Sequence, residues 1–190
     1  VLEKLGKDID YLSWHIYQPD KADWRETYDP HELYFAVCAA PLDIAQILTR
    51  IEKQIEGIAA PRKILQAVDE WNLWLLPLDK KTSMHNVTYT LRDALYTAST
   101  LITFYKHSRS VGMANLAQLV NVLPLIKTNE NKAFATAIFF PFVLFRQMQP
   151  YLLHTQCSCE TFDTKRISIN MSAHEKVPYL DELATISEDG

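Results

Sequence analysis

The run 9–17, rich in aromatic and β-branched residues, reads as a strand, and the run 63–70, whose first part reads as a buried strand, is separated from it by a stretch long enough to hold a helix. That stretch, 30–57, carries Leu42, Ile44, Ile47, Leu48, Ile51 and Ile55 at helical spacing, with Gly57 as a natural stop. The pattern then repeats. Residues 90–107 predict a long amphipathic helix with Leu91, Leu95, Ala98, Leu101, Ile102 and Tyr105 on its inner side. Residues 111–123 follow, and their mix of Met113, Leu116, Leu119 and Val120 fits strand or helix. Taken as a strand, this segment completes an order of strand, helix, strand, helix, strand. Strands spaced by crossover helices argue for a parallel sheet in an α/β fold.

The remaining segments fill in around that frame. Residues 2–7 look like the tail of a helix stopped near Gly6, while 18–29 and 76–87 are polar loops. The very apolar stretch 134–148 predicts a third helix after a polar turn at 129–132. From Tyr151 the texture changes, and Thr164-Lys-Arg-Ile-Ser-Ile169 suggests short antiparallel strands. Two regions result, 1–150 and 151–190, the second the beginning of a β domain. Three parallel strands cannot close a barrel and would leave exposed edges, so a piece of a larger protein is expected.

Composition excludes several classes of function. Of the 190 residues, 48 % are hydrophobic and 22 % charged, as in an ordinary globular domain. The net charge is −4 with no basic stripe, so nucleic acid is not an expected partner. No apolar run reaches the roughly 18–20 residues of a membrane span, and the most apolar, 134–145, is broken by Pro141. The opening Val-Leu-Glu-Lys shows no cationic or apolar leader, so no signal peptide is expected in it. Cys38, Cys157 and Cys159 are an odd set rather than a disulfide framework. They favour a reducing, cytoplasmic setting, with secretion as the alternative. His154, Cys157 and Cys159 offer three ligands where a structural zinc wants four, so no metal is expected. With only four glycines and no phosphate-cradling loop, a nucleotide site is not expected either. Two short sequons begin at Asn86 and Asn170.

The chemistry concentrates in Val68-Asp69-Glu70-Trp71-Asn72-Leu73-Trp74. A strand that ends in a carboxylate beside flat apolar walls suits glycosidic bond cleavage, which also needs a second carboxyl group opposite the first. Asp69 is a poor candidate for that second group. Successive strand side chains point to opposite faces, so only one of the two is expected to face a pocket. Asp69 is read as a structural hydrogen-bond partner. His15 and Tyr17, two apart, share one face of their strand. Trp14 should point away, Trp71 suits a core, and Trp24 lies in a polar loop. Gln118 and Asn121 are amides in a mostly apolar segment and need partners if buried.

Glu70 in Asp-Glu-Trp-Asn-Leu-Trp and the run Met113-Ala-Asn-Leu-Ala-Gln-Leu-Val-Asn121 resemble the α-L-arabinofuranosidases of glycoside hydrolase family 51. Ser13-Trp-His-Ile-Tyr17, Leu91-Arg-Asp-Ala-Leu95 and Val177-Pro-Tyr-Leu-Asp181 fit the same family in the same order, together covering about residues 8 to 185. The resemblance implies the last three strands of a TIM barrel followed by the start of a β-sandwich. It implies retaining hydrolysis with Glu70 as nucleophile, Tyr17 orienting it, and His15, Trp74 and Gln118 lining the sugar site. The acid/base glutamate would belong to an N-terminal half of the barrel that precedes Val1. The implied substrates are arabinose-containing oligosaccharides and polysaccharides, no cofactor is needed, and a homo-oligomer is suggested. The rival readings are another retaining barrel glycosidase, such as an endoglucanase or β-xylosidase, and a non-catalytic carbohydrate-binding unit.

Overall fold

The structure, a computed structural model, describes residues 2–19, 28–58, 63–75, 83 and 85–189. Trp24 and most of the 76–87 loop lie outside the described residues. A short helix α1 (Leu2–Leu5) leads into strand β1 (Tyr11–Gln18). Helices α2 (Pro30–Ala39) and α3 (Pro41–Glu56) precede β2 (Leu65–Leu73), and α4 (Leu91–Lys106) precedes β3 (Val111–Leu116). The three strands form one sheet in the order β1-β2-β3, and both pairings are parallel.

The single helix expected over 30–57 is two. Pro41 supplies no N–H and its ring crowds the preceding turn, which ends α2 and restarts the chain as α3. Asp29 caps α2, its carboxylate accepting the backbone N–H groups of His31 (3.0 Å) and Glu32 (2.9 Å). By length and composition the Pro30–Glu56 stretch could cross a membrane, which the sequence reading did not anticipate. Half of its most apolar window is buried inside the fold.

Helix α4 forms where expected but buries a different face. Leu91 and Leu95 are 70 % and 43 % exposed. Of the residues expected inside, Ile102 is buried and Leu101 packs on the core, but the inner side is otherwise carried by Tyr96, Thr97, Thr100, Thr103 and Phe104. A threonine-rich face can be buried because a helical Thr can return its hydroxyl to its own backbone, as Thr97 does to the Asp93 carbonyl at 2.9 Å. Tyr96 fixes the rotation: fully buried, it donates to the Gln18 side-chain carbonyl at 2.9 Å.

The apolar stretch 134–148 is also not one helix. Its start forms strand β5 (Ala133–Ala135), which pairs antiparallel with β4 (Ile126–Thr128). Asn129 closes that hairpin by accepting the N–H groups of Asn131 and Lys132. Helix α5 is left with Phe139–Phe145.

Beyond it, β6 (Tyr151–Leu153) pairs with β9 (Ala184–Ile186), and β7 (Thr161–Phe162) with β8 (Val177–Pro178), all antiparallel. The strand-like 164–169 segment contributes only an isolated bridge between Ser168 and Met171. The core lies around β2, where Val68, Trp71 and Leu73 are fully buried against Val37, Ile44, Leu48 and Tyr96. Trp71 meets Phe104 edge-on at 5.3 Å and stacks on Phe142 at 6.2 Å.

Candidate active site

The C-terminal ends of β1 and β2 carry the titratable cluster. Parallel pairing sets His15 opposite Glu70 and Tyr17 opposite Asn72. The Tyr17 hydroxyl donates to one oxygen of Glu70, and His15 Nδ1 lies 3.1 Å from the other. Both carboxylate oxygens are therefore fixed from the neighbouring strand. The Tyr17 phenol is held well above its ordinary value, first by burial and then by its bond to Glu70, so it remains a donor through the neutral range.

Asp69 does not turn cleanly to the opposite face. Its carboxylate accepts from the Ser13 hydroxyl at 2.7 Å and lies 3.1 Å from His15 Nε2. His15 thus bridges both acids. The cause is local: the register shifts between Ser13 and His15 on one side of β2, and between Val68 and Trp71 on the other. These irregularities break the alternation on which opposite faces depend. The role expected of Asp69, a structural hydrogen-bond partner, agrees with its bond to Ser13. That bond holds its carboxyl below the usual carboxylate range, with His15 adding to the effect. A group so readily ionised cannot serve as the acid that protonates a leaving oxygen at neutral pH.

The walls follow. Trp74 meets Tyr17 edge-on at 5.1 Å and tilts over His85 at 5.2 Å. Trp14 turns inward, its indole N–H donating to Gln66 at 3.2 Å. Gln118 is exposed just beyond the end of β3, after a cis peptide from Ala117. No bond joins it to Glu70 among the described residues. Asn121 is structural, exchanging bonds with the Thr128 hydroxyl (2.9 Å) and backbone N–H (2.8 Å) from a left-handed backbone (φ 62°).

Sequence reasoning passed over Asn72, which is completely buried. Its side-chain NH₂ donates to the carbonyls of Ala117 (2.6 Å) and Leu123 (2.8 Å). It therefore ties the segment carrying Gln118 to the strand carrying Glu70. The available signal was spacing, since a polar residue two positions after Glu70 shares its strand face. Leu123 is held in the left-handed region (φ 47°), a strained state for a γ-branched side chain that the tether from Asn72 helps to maintain. Asn170 was also missed. It donates to the Tyr17 carbonyl (3.0 Å) and accepts from Gln18 (2.6 Å), anchoring the end of β1 from 152 residues away in sequence. Nearby, Asp43 accepts from the Ser172 N–H and meets His174, each at 3.1 Å.

Residues 69–185 match the model of the α-L-arabinofuranosidase C-terminal domain. The chain belongs to that family. It is similar to a probable α-L-arabinofuranosidase C of Aspergillus clavatus, 33 % identical over 123 residues, or 64 % of this chain and 24 % of that protein. Intracellular exo-α-(1→5)-L-arabinofuranosidase 1 of Bacillus subtilis is 27 % identical over 209 aligned residues, covering all of this chain and 38 % of that one. Among solved structures, the arabinose complex of the Thermotoga maritima α-L-arabinofuranosidase aligns with TM-score 0.77 and 30 % identity, over 99 % of this chain and 37 % of that one. The chain thus spans between about a quarter and two fifths of the length of these relatives.

Proposed function

We propose that this chain carries the nucleophile side of a retaining α-L-arabinofuranosidase site, with Glu70 as the nucleophile. The observation that supports it most is the fixing of both Glu70 oxygens, by Tyr17 and His15, at the C-terminal edge of three parallel strands. Barrel enzymes place their chemistry on that edge. In this reading β1, β2 and β3 are the sixth, seventh and eighth strands of a TIM barrel, within a catalytic region 1–150. The paired strands from Tyr151 onward begin a β-sandwich. Glu70 attacks the anomeric carbon of a terminal α-L-arabinofuranosyl unit while an acid from outside this chain protonates the departing oxygen. Water then releases the sugar. Tyr17 holds the attacking oxygen in line, and its protonated phenol offsets the charge of the resting carboxylate. His15 orients the second oxygen. Trp74 and Gln118 line the sugar pocket, and no cofactor takes part. The substrates are arabinose-containing oligosaccharides and polysaccharides.

The test is hydrolysis of 4-nitrophenyl α-L-arabinofuranoside by a longer protein containing this chain, by the chain itself, and by the Glu70→Ala variant of each. The expected result is activity in the longer protein, loss on Glu70→Ala, and partial recovery with azide as a glycosyl azide of inverted configuration. Activity that survives Glu70→Ala would overturn the assignment.

A further inference from the structure

The hairpin that follows β3 leaves the sheet at the end that carries Glu70, and between it and Asn86 lies a cleft of about 380 Å³, within the range of small-ligand sites. Asn86 forms one wall and the β4–β5 hairpin the other. The cleft is coupled to the candidate site through residues already in place. His85 packs tilted against Trp74, Leu123 N–H donates to the His85 carbonyl at 3.1 Å, and Asn72 holds the Leu123 carbonyl.

Its chemistry differs from that of the Glu70 cluster. Two ammonium groups, Lys127 and Lys132, line it, and neither pairs with a carboxylate among the described residues. Lys127 donates to the Asn86 side-chain carbonyl at 2.7 Å, a neutral acceptor, which leaves two of its three protons for a ligand. Partial burial without an anionic partner holds that ammonium below its ordinary value, a penalty that a bound anion would relieve. The amides of Asn86 and Asn129 can engage neighbouring hydroxyls, and Phe134, 59 % exposed, offers a flat apolar face for a ring. Glu130, in the hairpin turn, is the nearby acid by sequence, and it is not among the lining residues.

We propose that this cleft binds a carboxylated sugar, a uronate unit of an acidic polysaccharide, so that arabinose is removed preferentially from chains bearing such units. The choice of a saccharide rests on the glycosidase reading above, whereas the preference for an anion rests on the lysines alone. Cations set in a polar groove attract and orient an anion, and salt weakens that attraction.

The test is NMR and calorimetric titration of this chain with digalacturonate, with neutral α-1,5-arabinobiose, and with inorganic phosphate, at low salt. Digalacturonate is expected to move the backbone amides of Asn86, Asn121 and Thr128. The Lys127→Met/Lys132→Met pair should weaken it by about tenfold or more, the equivalent of ~1.4 kcal/mol. Phe134→Ala should weaken digalacturonate but not phosphate, and Glu70→Gln should leave cleft binding unchanged. A failure of the glycosidase reading would therefore appear only in the Glu70 hydrolysis assay. Neutral arabinobiose binding as tightly as digalacturonate, or a lysine pair whose removal changes nothing in a variant with native amide dispersion, would overturn the proposal. Phosphate matching digalacturonate at the same amides would reduce the site to a plain anion site and overturn the saccharide assignment.

Discussion

Replacing Asn72 with Ala should unfasten the Gln118 segment from the strand that carries Glu70. The wild-type side chain donates to the carbonyls of Ala117 and Leu123 at 2.6 and 2.8 Å, and it accepts the Leu73 N–H at 2.8 Å. Asn72 is fully buried, and Ala117 and Leu123 are only 8 % and 3 % exposed, so water cannot easily replace the lost donors. Two hydrogen bonds of about 1 kcal/mol each, plus the penalty for carbonyls left buried without partners, sum to about 2–4 kcal/mol. With a urea dependence of about 2 kcal/mol per molar, the unfolding midpoint should fall by roughly 1–2 M. Equilibrium urea unfolding followed by tryptophan fluorescence reads this directly. Asn72→Asp is the sharper control. It keeps the shape but turns an acceptor toward two carbonyls, and at neutral pH it should be worse than Ala. Amide exchange should accelerate first across residues 117–123. A midpoint change below about 0.3 M for Asn72→Ala, or an Asp variant more stable than the Ala variant, would refute the tether.

Asp93 accepts the Thr90 N–H (2.6 Å) and hydroxyl (3.0 Å) and pairs with Arg92 (2.7 Å) at the start of α4, entirely buried. Asp93→Ala should cost about 3–5 kcal/mol, because it removes the cap and strands a partly buried guanidinium; thermal unfolding tests it. Trp71→Ala empties the centre of the core and should likewise cost about 3–5 kcal/mol in the urea assay. The Asp69 carboxyl is depressed in the folded state, so its stabilising effect is present above the unfolded value near ~3.9 and is lost as pH falls through the folded value. Ser13→Ala should raise the Asp69 midpoint in a carbon-13 NMR titration, and an unchanged midpoint would sink the assigned cause. Tyr17, Tyr89 and Tyr96 are all raised, chiefly by burial, so their contribution is complete below ~10 and is lost only as pH climbs through the folded values. Absorbance at the phenolate band should show one fewer late-titrating tyrosine in Tyr17→Phe than in the wild type.

The alternation of strands and crossover helices was legible because period and punctuation are local. A strand run or a helical repeat needs only its own residues to be recognised. Spacing alone put His15 and Tyr17 on one strand face and Glu70 at a strand end, whereas their roles came from the resemblance to the arabinofuranosidase family. What failed were choices between faces and partners. Helix α4 could not announce that it buries threonines rather than Leu91 and Leu95, because Tyr96 finds Gln18 only after β1 is in place. The 134–148 run could not show that its first residues pair with β4, since apolarity serves a strand and a helix alike.

By itself, then, the sequence determined the alternation of three strands with helical crossovers, the parallel sheet, and the carboxylate at the end of its middle strand, all consequences of short-range sterics and spacing. Only the tertiary structure decided that His15 spans both acids, that Asn72 secures the loop bearing Gln118, and that Asn170 anchors the end of β1. Those contacts join residues far apart in the chain. Their geometry depends on register shifts and buried amide bonds that form only when whole elements pack and water leaves.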